Sequence, residues 1–160
     1  MVSKQDVRVL NMILKYRKLH LTSLTVYMEG NVRILTWNVE SIRSAIKKGF
    51  WSAVSEVDPD FLLIQETTLH KRVKYKQSNL CCNGYTGYFH HAKEKAYAGV
   101  AIYTKYEPLS AQSGLSGEFK DEEGRVLTLE FKDYFLMVVY CPFARQEFER
   151  FNFKISTFMP

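Results

Sequence analysis

The feature that most constrains this chain is a strand, an amphipathic helix and a second strand in immediate succession. Val32 to Trp37 is a short run rich in β-branched and aromatic residues. From Ile42 to Val57 the apolar residues Ile42, Ala45, Ile46, Phe50, Ala53, Val54 and Val57 recur at spacings of three and four, the period of one helix face. Asp58-Pro59-Asp60 should stop the helix, because proline disfavours the α conformation in the residue before it. Phe61 to Gln65 is then a continuous apolar run of the kind buried on both faces of a sheet. A unit of this length joins two parallel neighbouring strands through a right-handed crossover. Their C-terminal ends open on one side, which places Asn38 and Glu40 near Glu66, where open α/β sheets bind ligands.

Further strands are predicted at Gly84 to His91, Ala98 to Tyr106, Arg125 to Phe131 and Tyr134 to Tyr140, separated by turn-rich segments. The order is one helix-bearing unit followed by a β-meander, with regular structure beginning near Val32. The preceding residues differ. Their apolar spacing is only roughly helical and Lys15, Arg17 and Lys18 cluster in the middle, so residues 1–31 read as a basic N-terminal extension with a helix from about Asp6 to Lys18. A transit peptide shares that basic character, but Asp6 and the scarcity of serine argue for an accessory extension.

Composition narrows the class. With 46% hydrophobic and 24% charged residues the chain can build a packed core and does not read as disordered. Its apolar runs fall short of the roughly 18 residues of a membrane helix, so no membrane association is expected. A net charge of +5 permits a polyanionic partner without requiring one. Three cysteines, two of them the adjacent Cys81 and Cys82, make neither a disulfide framework nor a zinc spacing. The four histidines, His20, His70, His90 and His91, read as surface residues.

On spacing alone, Asn38, Glu40 and Glu66 admit two readings. Two carboxylates and an amide at one strand-end pocket suit a hard cation such as Mg2+, which takes one or two carboxylates and leaves room for water and phosphate. The same residues also suit an ordinary strand end and an acidic residue ahead of a helix. Lys47 and Lys48 on the helix, with Lys71, Arg72, Lys74 and Lys76 interleaved with Tyr75, form either a phosphate-gripping patch or a solvated face. Tyr140 ends an apolar strand before Cys141-Pro142 and serves either a phosphate or the core.

The order of the motifs goes further than spacing. Ile34 to Arg43 (Ile-Leu-Thr-Trp-Asn-Val-Glu-Ser-Ile-Arg), Lys47 to Phe50, Asp58 to Asp60, Leu63 to Thr67 (Leu-Ile-Gln-Glu-Thr), Tyr97 to Lys105 and Glu123 to Val126 follow one another as in apurinic/apyrimidinic endonucleases. From about Val32 to Pro142 the chain closely resembles the exonuclease III branch of the endonuclease/exonuclease/phosphatase superfamily.

That resemblance implies an α/β fold, a two-sheet β-sandwich flanked by helices, of which residues 32–160 would be the N-terminal half and the chain a truncated form. It implies a nuclease that uses Mg2+, or Mn2+ in its place, to hydrolyse the phosphodiester 5′ of an abasic site in double-stranded DNA. By position, Asn38 matches the active-site asparagine and Glu66 the principal metal-binding glutamate. Glu40 stands where relatives carry Asp or Asn on the metal side. Tyr140 matches the tyrosine beside the scissile phosphate, and Arg43, Lys47, Lys48 and Tyr88 match positions near DNA.

Three departures accompany the match: Ser41 for glycine, Thr68 for lysine and Phe143 for asparagine. The family's Gly-Asp-Xaa-Asn and Ser-Asp-His segments, which orient water and supply the catalytic histidine, do not occur. The expectation is therefore little or no activity in this chain. An inner sheet face left exposed would favour self-association or docking. The nucleus is the expected compartment, with the mitochondrion as alternative. A non-catalytic nucleic-acid-binding fragment, an incomplete gene product and a superfamily cousin acting on phosphoinositides, sphingomyelin or RNA tails are the rival readings.

Overall fold

The structure is a computed structural model and describes residues 24–29, 32–70, 80, 84–115, 120–142 and 154. The helix expected at Asp6 to Lys18, the basic run Lys71 to Lys76, the Cys81-Cys82 pair and Phe143 lie outside the described residues. In chain order the elements are β1 (Leu24–Glu29), β2 (Val32–Asn38), α1 (Ile42–Lys47), α2 (Phe50–Val57), β3 (Phe61–Gln65), β4 (Thr86–His90), β5 (Val100–Thr104), β6 (Ser110–Ser113), β7 (Val126–Glu130) and β8 (Phe135–Val139).

The central unit forms as expected: β2 and β3 are parallel, with Ile34 opposite Phe61 and Asn38 opposite Gln65. Between them the single expected helix is two helices. Gly49 adopts a left-handed conformation (φ 101°) that ends α1, and its carbonyl then accepts the Ala53 N–H at 3.1 Å as α2 begins. The apolar period reads through this break because both helices turn the same side inward, burying Ile42 and Ala45, then Phe50, Ala53 and Val54. Asp58, also left-handed, ends α2 ahead of Pro59, where the right-handed region is disfavoured.

The expected meander is divided between two sheets. The first has the order β1-β2-β3-β5-β4, with β5 antiparallel to both β3 and β4; only β6-β7-β8 forms an antiparallel meander. Two strands enlarge the expected set. β1 pairs antiparallel with β2, so a strand precedes Val32 inside the stretch read as an extension. β6, Ser-Ala-Gln-Ser, is exposed along its length and has little strand propensity of its own; its pairing with β7 makes it a strand.

Side-chain alternation sorts the core into two layers. Leu35, Trp37, Leu62, Ile64, Ala101 and Tyr103 face α1 and α2. Phe61, Val100 and Ile102 face the second sheet and meet Leu127, Leu129 and Val138. Phe61 to Ile64 is thus packed on both sides, which explains its unbroken apolar sequence. The described inner faces of the sheets cover one another, contrary to the expectation of an exposed inner face. Exposed apolar side chains instead line the outward side of β8, where Phe135 is 70%, Met137 47% and Val139 42% exposed. The histidine reading is corrected too: His70 is buried, with Nε2 3.2 Å from the Lys93 carbonyl, and His90 lies mostly covered, with Nδ1 2.8 Å from the Val126 carbonyl.

Candidate active site

Period-two alternation aims the site residues before any contact is considered. Asn38 shares the inner side of β2 with Ile34 and Thr36, and Tyr140 continues the inward series Leu136, Val138 at the end of β8. The two sheets therefore bring these side chains toward each other at the C-terminal ends of β2 and β3. Glu66, the first residue beyond β3, completes the group. Its Oε1 accepts a hydrogen bond from Asn38 Nδ2 at 2.8 Å and another from the Tyr140 hydroxyl. Below them Gln65 Nε2 donates to Thr36 Oγ1 at 2.9 Å, so a polar layer separates the site from the apolar core.

The backbone at these strand ends is unusual. Glu40 and Glu66, the residues singled out as metal candidates, have φ of 56° and 57°, a left-handed conformation that non-glycine residues seldom adopt. Residues beyond β3 keep pairing: Thr67 and Thr68 donate to the carbonyls of Gly99 and Ala98, both at 3.0 Å. Two motif glycines are explained here. A Cβ on Gly99 would lie 2.6 Å from Thr67 Oγ1, and one on Gly124 would lie 2.7 Å from the His90 carbonyl oxygen. Both glycines also have positive φ.

The other sequence candidates separate into three sets. Glu40 reaches the cluster through its backbone: its N–H donates to Asn38 Oδ1 at 3.2 Å, while its side chain is exposed. Arg43, Lys47 and Lys48 are exposed on and just after α1, the element that leaves the site. Tyr88 is not brought to this group. It sits mid-strand on β4 opposite Ile102 and packs partly buried against the core between the sheets.

Arg125 is the member that residue chemistry alone did not single out, although it lies in the Glu123 to Val126 motif. It is 2% exposed. Its Nη1 donates to the Tyr140 carbonyl at 3.0 Å, its Nε to Glu123 Oε2 at 2.5 Å and its Nη2 to the Tyr97 hydroxyl at 3.2 Å. The guanidinium also lies over the Tyr140 ring, 4.7 Å from its centroid.

Burial, the hydrogen bond to Glu66 and the charge of Glu66 push the Tyr140 phenol up to about 12, with Arg125 opposing. At neutral pH Tyr140 is therefore a protonated donor and not a base. The linked prediction concerns alkaline stability. A phenol whose proton is held more tightly in the folded state stabilises the fold fully below the unfolded value of 10. That contribution is lost as pH rises through about 12. Tyr140→Phe should consequently show a shallower loss of stability between these limits in urea melts. Identical pH slopes for the two proteins would contradict this.

The cluster fits a hard cation. Among the described residues no donor meets Glu66 Oε2, and the side-chain donor available at the strand ends is a carboxylate oxygen. Among the described residues no three His, Cys, Asp or Glu side chains converge. The Glu66 carboxylate is the group that would hold a hard cation such as Mg2+, which takes one or two carboxylates and retains several waters.

Comparison with known proteins gives a consistent picture. Residues 35–153 match the Endonuclease/Exonuclease/phosphatase family. The chain is 36% identical over 126 residues to an exodeoxyribonuclease of Bacillus subtilis, covering 78% of this chain and 48% of that protein. It is 34% identical to the DNA repair nuclease APEX1 of Danio rerio, covering 78% and 41%. The structure superposes on an AP endonuclease from Archaeoglobus fulgidus with a TM-score of 0.66 at 30% identity, covering 78% of this chain and 47% of that one. The chain thus spans about half the length, or less, of these relatives. With its two facing sheets, its outer helices and this match over most of its length, the chain belongs to the Endonuclease/Exonuclease/phosphatase family.

Proposed function

We propose that this chain is part of a DNA-repair nuclease of the apurinic/apyrimidinic endonuclease type, which hydrolyses the phosphodiester 5′ of an abasic site in double-stranded DNA. The observation that carries this reading is the convergence of Asn38, Glu66 and Tyr140 on one carboxylate oxygen at the strand ends. The names of the similar proteins support it.

In this reading Glu66 holds Mg2+, or Mn2+, through its remaining oxygen, with Glu40 as the second carboxylate on that side. The bound cation would polarise the phosphate and offset charge on the leaving oxygen. Asn38 fixes the Glu66 carboxylate by donating from Nδ2. Tyr140, kept protonated, can transfer its hydrogen bond from Glu66 to a phosphate oxygen as negative charge develops there. The exposed Arg43, Lys47 and Lys48 would lie along the DNA backbone and neutralise phosphates.

Nothing in this cluster is suited to taking a proton from water, since Tyr140 is held protonated and Glu66 Oε1 is already shared by two donors. We expect the 160-residue chain by itself to turn over little or no substrate. A general base and an oriented donor are each worth about 10²–10⁴-fold. Mg2+-dependent nicking of a duplex with one abasic site tests this. Undetectable or trace nicking is the expected result, and robust turnover by the purified 160 residues would overturn it.

The exposed cations also favour a binding role without cleavage. Salt-dependent retention of the same duplex without nicking would distinguish it, while absence of retention at low salt would count against it. The proposed site of action is the nucleus, with the mitochondrion as alternative; the repair nucleases among the similar proteins support this reading. The outward β8 residues Phe135, Met137 and Val139 supply an apolar surface for self-association. Light scattering should show mass rising with concentration, and Met137→Lys should reduce that rise; a concentration-independent monomer would refute it.

A further inference from the structure

We propose that Arg125 is a positioning residue that sets the Tyr140 hydroxyl on Glu66. Tyr140 lies one residue beyond the end of β8. Arg125 holds it there in three ways, of which the first, a backbone bond, continues the β7–β8 register. Its carbonyl accepts the Tyr140 N–H at 2.8 Å, its Nη1 donates to the Tyr140 carbonyl at 3.0 Å, and its guanidinium covers the ring at 4.7 Å. Backbone and ring are thus held by one side chain and its own peptide, with the phenol hydroxyl on Glu66 Oε1.

The guanidinium is itself held. Glu123 and Tyr97 accept from its other two nitrogens, Nε and Nη2, and Arg125 is only 2% exposed. A buried arginine is retained only where its donors are met in a fixed fork, because an unpaired buried charge is strongly disfavoured. The planar fork reaches three partners in different directions at once; lysine, with one nitrogen on a flexible stem, cannot. This assigns a common purpose to two motif segments that lie apart in sequence: Tyr97 in one, and Glu123 with Arg125 in the other, fix the geometry of Tyr140.

This role deepens the nuclease reading and rests on it for its purpose, since a positioned Tyr140 matters when a phosphate is bound at Glu66. The alternative is that Arg125 only braces β7 against β8, in which case Tyr140 keeps its bond to Glu66 after Arg125 is replaced. The test uses the 160-residue chain labelled with 13C at the tyrosine Cζ, whose chemical shift reports the hydrogen bond of the phenol. Tyr140→Phe assigns the resonance, and Glu66→Ala gives its position once the bond is lost.

In Arg125→Met the Tyr140 resonance should move most of the way to the Glu66→Ala position, while far-ultraviolet circular dichroism stays that of the parent. If Arg125→Met does not fold, Arg125→Lys, which retains a charge beside Glu123, decides. It should displace the same resonance in a protein of unchanged circular dichroism. A Tyr140 resonance that remains at its parent position in whichever of these variants folds overturns the proposal. Mn2+ titration of the same samples by electron paramagnetic resonance separates the two readings. Absence of Mn2+ binding by the parent would defeat the metal role of Glu66 and leave the Tyr140 resonance to decide Arg125. With binding present, Arg125→Met should weaken it by about 10–100-fold, as loss of a group that orients a ligand typically does.

Discussion

Glu66→Gln should lower the affinity for Mg2+ and Mn2+ by more than about 100-fold while leaving the fold intact. The loss is bounded from below by the roughly 10–100-fold cost of removing groups that merely orient a ligand. Here the anionic oxygen itself is removed. The fold should persist because a glutamine Oε1 still accepts from Asn38 Nδ2 and from the Tyr140 hydroxyl, so neither donor is orphaned. Isothermal titration with Mn2+, paired with a thermal melt, reads both halves of the prediction. Retention of affinity within about threefold would remove Glu66 from the metal site. Glu40→Gln should cost less, because its side chain is exposed and bonds nothing in the cluster.

The second large effect is on stability. Trp37→Ala should destabilise the fold by about 3–5 kcal/mol, the range for deleting a large aromatic from a packed core. Trp37 is 0% exposed between the first sheet and the helices, with its ring 5.2 Å from that of Phe50. Phe50 in turn meets Trp51 edge-on at 4.9 Å, so the cavity would open under both helices. Its Nε1 has no hydrogen-bond partner among the described residues, so the loss is one of packing. A domain of this size is typically stable by only about 5–15 kcal/mol, so the change approaches the whole margin. Urea unfolding measures it, with Phe135→Ala on the exposed side of β8 as a near-neutral comparison. A Trp37→Ala cost below about 1 kcal/mol would contradict the packing described here.

The consequence of Trp37 reaches the site because Asn38 is its neighbour on the strand. One residue faces the helices and the next faces the second sheet. The same alternation links the stability of the helix-facing core to the placement of the amide that fixes Glu66.

Much of this was legible in the residues. The strand at Phe61 to Gln65, the parallel pairing of β2 with β3 and the approach of Asn38 to Glu66 all follow from period and from where parallel strands end. What sequence patterns missed has physical reasons. The break at Gly49 was hidden because the helices on either side present one continuous apolar face. β6 had no signal because its strand character comes from β7 and not from Ser110 to Ser113. The burial of Arg125 had none either, since arginine is ordinarily exposed and only fixed partners make the exception. Tyr88, which the resemblance sets near DNA, lies partly buried against the core between the sheets.

By itself the sequence determined the strand-helix-strand unit, the family resemblance and the identity of the polar side chains at the strand ends, because those are local and periodic properties. Only the tertiary structure decided that Tyr140 meets Glu66 across 74 residues. It also decided that Arg125 holds Tyr140 and that the inner sheet faces cover one another. These depend on which side of each sheet faces the other once they pack, and that choice is made by burial of the whole core.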